Sequence, residues 1–493
     1  MKKILLSLMV SLLLALPVTA DDAGPYTYQD LSESLSLNNT SVLAAVENYK
    51  TALLDVKDAK ANFHPQIDYT LAASYVLNHQ TMTIDTGSVL DSLPSDMTGN
   101  LYVYNPYLQY LGYTDNHAPL SDLLTNPLAS SMFPSSVDMP IDINAPYLNA
   151  EISLVQPVYT WGKLTNSVKM NEEIASARAL QITDTEDQMD TQLKASLASL
   201  YYIRQMLTVL EEMQSDADEL LELAEGSSST GVLLETDVAS ARVSAKQIGL
   251  TRTQLESQAD IIVSSIEVLT GISGLTADMI DYTPDEAYYR ELAEADRTML
   301  ELQATSNSQA TMQMLMHMAN AASYGLDAAK GSMYAVPDIA LSVGANYSAP
   351  LNSSFVDGSS WGVTVAVALQ GNIWDGGKKL NDQERAESAT NSARIAREEA
   401  AGTIRTTLAQ NFADMDVALA GIEYQDASIA LLESELSLEE ARLELGASSR
   451  SAVLEKRLEL NQARIEKIQH QITLAGCACT IEYLTGYTGV QGT

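Results

Sequence analysis

The decapeptide LVQPVYTWGK at residues 154–163 returns as LQGNIWDGGK at residues 369–378, an offset of 215. EVLTG at 267–271 returns as EYLTG at 482–486 at the same offset, while Ser229, Leu234 and Glu235 match Ser449, Leu454 and Glu455 at 220. Self-similarity at a near-constant long period marks one structural unit copied in tandem. The chain reads as a first repeat over 21–271 and a second over 272–493, preceded by a leader over 1–20.

The stretches that follow the two decapeptides read as helix. Seven of the fourteen prolines lie between Pro94 and Pro146, none lies between Pro157 and Pro284 and none after Pro350, so no proline interrupts a helix in those two stretches. Leu193, Leu197, Leu200, Leu207, Leu210, Ala217, Leu221 and Ala224 keep steps of four, three or seven, as a coiled-coil stripe does. A helix from Trp161 to Glu225 would run for roughly 97 Å, far beyond what a globular core requires. The stripe breaks at Gly226 to Gly231 and resumes with Leu234, Val238, Ala245, Ile262, Ile266 and Leu269. Its counterpart runs through Ile404, Leu408, Met415, Ile422 and Ile429, breaks at Gly446 to Ser451, and resumes with Leu454, Leu458, Ile465 and Ile468. The spacing predicts one helical hairpin over 161–270 and another over 376–485, each with a Gly/Ser-rich tip.

Before each hairpin the pattern alternates with period two. Ile67, Tyr69, Leu71, Ala73, Tyr75 and Leu77 fall on one face, as do Leu148, Ala150, Ile152, Leu154 and Val158. Ile339, Leu341, Val343, Ala345 and Tyr347, then Trp361, Val363, Val365, Val367 and Leu369, repeat this. These predict strands at about 66–77, 147–158, 338–347 and 361–373, the length of tilted membrane strands. A soluble sandwich with one wet face fits the periodicity equally well. The adjoining long helices, the leader and the aromatics near strand ends (Tyr75, Tyr147, Tyr347, Trp361) favour a membrane sheet. Four strands do not close a barrel and lipid rejects an open edge, so such a sheet requires two, three or four copies of the chain. Residues 78–146, with Tyr102, Tyr104, Tyr107, Tyr110 and Tyr113, read as an extended surface loop dispensable for assembly.

Lys2 and Lys3, the apolar run Ile4 to Leu16 and the small residues to Ala20 form a secretory signal peptide. Its removal leaves 26 basic against 64 acidic groups, a formal charge of −38, which excludes nucleic acid as a natural partner. No later apolar run is long enough for a spanning helix.

The ordered set of these features, repeated twice, resembles the TolC-like outer-membrane efflux proteins. It is carried by Ala59, Lys60, Ala61, Phe63, Pro65 and Ile67, and by the turns Gln156-Pro-Val-Tyr to Gly162 and Asn372-Ile-Trp-Asp-Gly-Gly377. The tips at Gly226 and Gly446 and the closing Leu484-Thr-Gly complete the set. The resemblance implies a mostly α fold, with a periplasmic α-barrel of long antiparallel helices and four transmembrane strands per subunit in the barrel of a homotrimer. Tyr28 to Asn38 and Ile272 to Asp296 would form a belt. It also implies an outer-membrane duct, not an enzyme, that passes small molecules unchanged and is coupled through a periplasmic adaptor to an inner-membrane pump. Type I protein secretion and heavy-metal efflux remain alternatives, as does a pore-less periplasmic scaffold. Gly226, Ser229, Gly446 and Ser449 would shape tips that meet the adaptor. Where the family commonly has Asp-Val-Leu-Asp, this chain has Ala452, Val453, Leu454 and Glu455, which leaves Glu455 as the expected entrance ring, with Arg450 and Arg457 nearby.

No catalytic constellation and no cofactor motif stands out, and the five histidines are scattered. Met314, His317 and Met318 fall at i, i+3 and i+4 of a helix, where thioethers and an imidazole suit Cu(I) or Ag(I), although methionine at that spacing is more often packing. Cys477 and Cys479 point to different sides of a helix and exclude a disulfide framework.

Overall fold

A computed structural model of the chain describes residues 25–75, 146–229, 234–306, 309–333, 338–350, 360–371 and 374–487. It also describes short pieces at 18–19, 80–84, 102–104, 108, 117–119, 123 and 137–141. The helices are α1 (Tyr28–Asn38), α2 (Thr40–Ala61), α3 (Lys163–Ser229), α4 (Glu235–Thr270), α5 (Glu286–Glu294), α6 (Arg297–Ala304), α7 (Ala310–Met333), α8 (Lys378–Glu444) and α9 (Arg450–Thr485). With α3 and α8 at 67 residues each and α4 and α9 at 36, every boundary of the second hairpin stands 215 after its counterpart. The four strands β1 (Gln66–Tyr75), β2 (Pro146–Tyr159), β3 (Asp338–Pro350) and β4 (Ser360–Gln370) form one antiparallel sheet in the order β4-β3-β2-β1. The mostly helical fold class is as expected from the periodicity.

The 215 register corrects one alignment. Leu234 caps α4 and stands at the place of Ser449, the cap of α9, so the structural counterpart of Glu455 is Ser240, not Glu235. The match at 220 pairs residues that stand five positions apart in the 215 register. Gly226 and Ser229, expected at the first tip, lie in the last turns of α3. Gly226 keeps an ordinary helical φ, so its missing side chain weakens the helix end without breaking it.

The decapeptides are the turns that start α3 and α8. Each turn holds two successive left-handed residues: Gly376 and Gly377 at φ 71° and 88°, and Trp161 and Gly162 at φ 53° and 81°. A tryptophan in that region costs about 1–3 kcal/mol. Its surroundings hold it: α7 passes so close that a Cβ on Gly331 would lie 2.6 Å from the Trp161 carbonyl oxygen. In the second copy Asp375 accepts from the backbone N–H groups of Gly377 at 3.1 Å and Lys379 at 3.0 Å, which caps α8.

The chain divides into a helical unit (residues 1–61, 160–335 and 372–493) and a strand unit (residues 62–159 and 336–371). One core of the helical unit gathers Tyr202, Leu210, Leu408, Phe412, Met415 and Ile481, and a second gathers Leu31, Leu35, Leu193, Leu197 and Ile266. The expected belt segments fold as α1, α5 and short strands, with Tyr26–Thr27 pairing in parallel with Ile280–Asp281. Tyr28 donates to Asp190 at 2.7 Å, and Lys194 reaches Glu482 at 2.6 Å and Asp190 at 3.5 Å, which ties α1 and α9 to α3. Burial pushes the Cys477 and Cys479 thiols up to about 11 and about 12, so both are inert core side chains.

Residues 78–146 carry structure of their own where described. Gln80–Ile84 pairs with Val137–Ile141 and Tyr102–Tyr104 with His117–Pro119, while Leu108, Ala118 and Leu123 are buried together. Tyr107, Tyr110 and Tyr113 lie outside the described residues, as do the signal segment 1–17, the tip 230–233, and Asn372 and Ile373.

Candidate functional site

The strand ladder sorts side chains into two faces. Directly opposed residues share a face, and the rows Leu71, Ala150, Tyr347, Trp361; Tyr69, Ile152, Ala345, Val363; and Ile67, Leu154, Val343, Val365 lie on one of them. That face is open: Tyr69 is 83% exposed, Trp361 79% and Val365 68%. The opposite rows are Thr70, Glu151, Asn346, Gly362 and Asp68, Ser153, Gly344, Thr364. Val158 sits at a bulge, so Tyr159 pairs with Ile339 and simple alternation fails there. The side chains of Tyr75 and Tyr147 lie outside the described residues. Residues 62–159 and 336–371 contain no lysine or arginine, and of their eleven Asp and Glu the four strands carry Asp68, Glu151 and Asp338, so the polar face has carboxylates without a basic partner in its own unit.

The helical unit has edges too. In its tip half the helices pack in the order α4, α3, α9, α8, and in the other half in the order α2, α3, α7, α8. The edge helix α8 exposes Val417, Tyr424, Leu431 and Leu438, with Leu445 just past its end, all seven residues apart. Three residues after each of the first four stands a small exposed one: Ala420, Ala427, Ser434 and Ala441. The edge helix α4 exposes Val243, Leu250, Ile261 and Val268. A heptad stripe of large side chains beside small ones is a coiled-coil seam without its second helix.

At the tip, three arginines of α9 spaced by seven form a ladder. Arg450 binds Glu219 through two bonds of 2.6 and 2.8 Å, Arg457 binds Asp216 at 3.0 Å, and Arg464 stands 4.0 Å from Glu212. Two of them also reach α8: Arg457 to Glu440 at 3.7 Å and Arg464 to Glu433 at 3.2 Å. The Arg450 bond holds Glu219 below the ordinary carboxylate range, whereas burial pushes Asp216 above it, with Arg457 opposing. Asp216 keeps one buried oxygen without a donor.

Gly446 is left-handed at φ 71°, and Ser449 caps α9 by accepting from Ala452 N–H at 3.2 Å. Glu455 lines a cleft of about 470 Å³ with Leu220, Leu223, Asp237, Ser240 and Arg450. Asp237, which bonds back to Leu234 N–H at 3.4 Å, is the acidic residue at the place of Ala452. Sequence reading missed Asp237 and the ladder; the seven-residue spacing of the arginines was the available signal. Met314, His317 and Met318 lie along α7, where His317 meets Glu173 of α3 at 2.7 Å. Among the described residues no helix is long and apolar enough to cross a membrane.

Residues 302–476 match the outer membrane efflux protein family. No curated protein matches the chain in sequence. Similar solved structures include a membrane protein from Pseudomonas aeruginosa, 15% identical, with a TM-score of 0.65 over 93% of each chain. VceC, an outer membrane protein from Vibrio cholerae, is 14% identical with a TM-score of 0.65 over 93% of this chain and 96% of that one. The Campylobacter jejuni CmeC outer membrane channel is 12% identical with a TM-score of 0.65 over 93% of this chain and 85% of that one. At these identities the likeness speaks for the fold, and the family matched is one of transport channels, not enzymes.

Proposed function

Since the chain has the TolC-like fold and carries an outer membrane efflux protein domain, we propose that it is the outer-membrane duct of a tripartite efflux pump. Three copies close a twelve-stranded barrel in lipid, with their helices forming a periplasmic tunnel. Small molecules pass through it unchanged, driven by an inner-membrane pump through a periplasmic adaptor that meets the tips around Gly226, Ser229, Gly446 and Ser449. The observation that carries this reading is the sheet with one open apolar face, one face bearing Asp68, Glu151 and Asp338, and two edges that are unpaired among the described residues. In water such a face is a liability; in lipid, with the edges joined between copies, every backbone group is satisfied. The heptad stripe of α8 at one edge of the helix layer and the exposed apolar side chains of α4 at the other support the same head-to-tail closure.

Planar-bilayer conductance of the purified protein tests the reading, since a pore-less scaffold would give none. Glu455, repeated about the axis, forms the cation-binding constriction, as like charges in a narrow passage strengthen the field. Block by a multivalent cation should therefore weaken in Glu455→Gln, and unchanged block would remove Glu455 from the entrance.

The ladder holds the entrance hairpin of α8 and α9 against α3. Asp216 has a folded pKa raised by burial, so this group's contribution to stability declines as pH rises from the ordinary carboxylate value through the raised one. Its ionised form is thus retained for position more than for stability. Asp216→Asn should leave the melting temperature unchanged or higher and raise conductance at neutral pH. Mild acidification of the wild type should act in the same direction. A lower melting temperature with unaltered conductance would assign Asp216 to packing alone.

A further inference from the structure

The helix α7, packed between α3 and α8, begins with a methionine-rich turn. Met312, Met314, Met316, His317 and Met318 fall within two turns of that helix. Met312 is buried and belongs to the core, whereas Met314 and His317 are half-buried and Met318 is exposed. Met314, His317 and Met318, at i, i+3 and i+4, share one helical face.

The imidazole is oriented by a partner on α3. His317 Nδ1 lies 2.7 Å from Glu173 Oε2, and the same oxygen accepts from Asn320 Nδ2 at 3.3 Å. A carboxylate on one ring nitrogen orients the ring and selects the tautomer that leaves the other nitrogen as a lone-pair donor, as at metal-ligating histidines. Nε2 has no hydrogen bond among the described residues.

We infer that Met314, His317 and Met318 form a binding site for a soft monovalent cation, Cu(I) or Ag(I). Two neutral thioethers and an imidazole suit such an ion, whereas Mg(II) and Ca(II) require oxygen ligands. Among the described residues no group of three His, Cys, Asp or Glu gathers elsewhere as a competing metal site. The site does not depend on the duct reading, because binding is measured without conductance.

Packing and ligation make different demands on these methionines. Met→Leu conserves volume and preserves a core, but removes the sulfur donor. Full-length protein carrying Cys477→Ala and Cys479→Ala, which removes both thiols, is titrated with Ag(I) against a competing chelator. It should bind one Ag(I) per chain. Met314→Leu with Met318→Leu should lower the affinity about tenfold or more, as should His317→Gln, while Met316→Leu should leave it unchanged. X-ray absorption of the Ag(I)-loaded protein should show both sulfur and nitrogen neighbours, a readout that holds even if a variant folds poorly. Absence of bound Ag(I), full affinity in the double leucine variant, or a silver shell without nitrogen would each overturn the site.

Discussion

Chains carrying Val365→Arg or Leu341→Arg should fail to assemble in lipid, while Thr364→Arg and Ser342→Arg should assemble as the wild type does. The two sets are neighbours along the same strands, so strand propensity does not separate them. Val365 stands in the row Ile67, Leu154, Val343, and Leu341 in the row of Gln156 and Val367, both on the open apolar face. An arginine there faces hydrocarbon at a cost of about 2–4 kcal/mol per chain if near the midplane. Each copy in the barrel bears that cost. On the other face an arginine at 364 meets the row of Asp68 and Ser153, next to that of Glu151, and so finds carboxylates in a unit without any other Lys or Arg. Heat-resistant oligomer in the outer-membrane fraction is the measurement. Equal loss in both sets would mean that the face is not lipid-facing.

Much of this was legible in the sequence because its signals are periodic. A four-residue step along Leu193 and Leu197 and a two-residue step along Val363 and Val365 survive any tertiary context that buries one face. The faces of the sheet follow from parity until Val158, where a bulge inserts one residue and parity no longer tells the side. The first tip was misplaced for a related reason. Gly226 suggests a break because glycine often ends helices, yet α3 continues through Ser229, with open space where a side chain of residue 226 would stand. The ladder was not legible as contacts, since arginines spaced by seven announce a stripe but not which helix faces it. Asp216 shows what only the fold supplies: a carboxylate three residues before Glu219 is buried while Glu219 stays solvated, so opposite shifts arise on one helix.

Double substitution of Leu431 and Leu438 by Glu should leave a folded monomer, and this is the largest effect expected on the helical unit. These residues are exposed on the edge helix α8 and touch no core, so the unit itself has no reason to unfold. In the ring proposed above each would be covered by the next copy, where burying a leucine contributes about 1.5–3 kcal/mol. A carboxylate in its place adds desolvation to that loss. The seam also has a register. The two hairpins have equal element lengths, and α8 runs toward its tip while α4 runs away from its own. Helices aligned by their tips therefore set Leu438 beside Val243 and Leu431 beside Leu250 of the neighbouring copy. Chains carrying both Leu438→Cys and Val243→Cys should cross-link on oxidation into covalent oligomers, because a disulfide forms only where Cα atoms come within about 7 Å. Either cysteine alone should give none. Cross-linking that requires a pair shifted by a full heptad would retain the ring but move the register. An oligomer that persists with glutamates at both 431 and 438 would show that copies meet elsewhere.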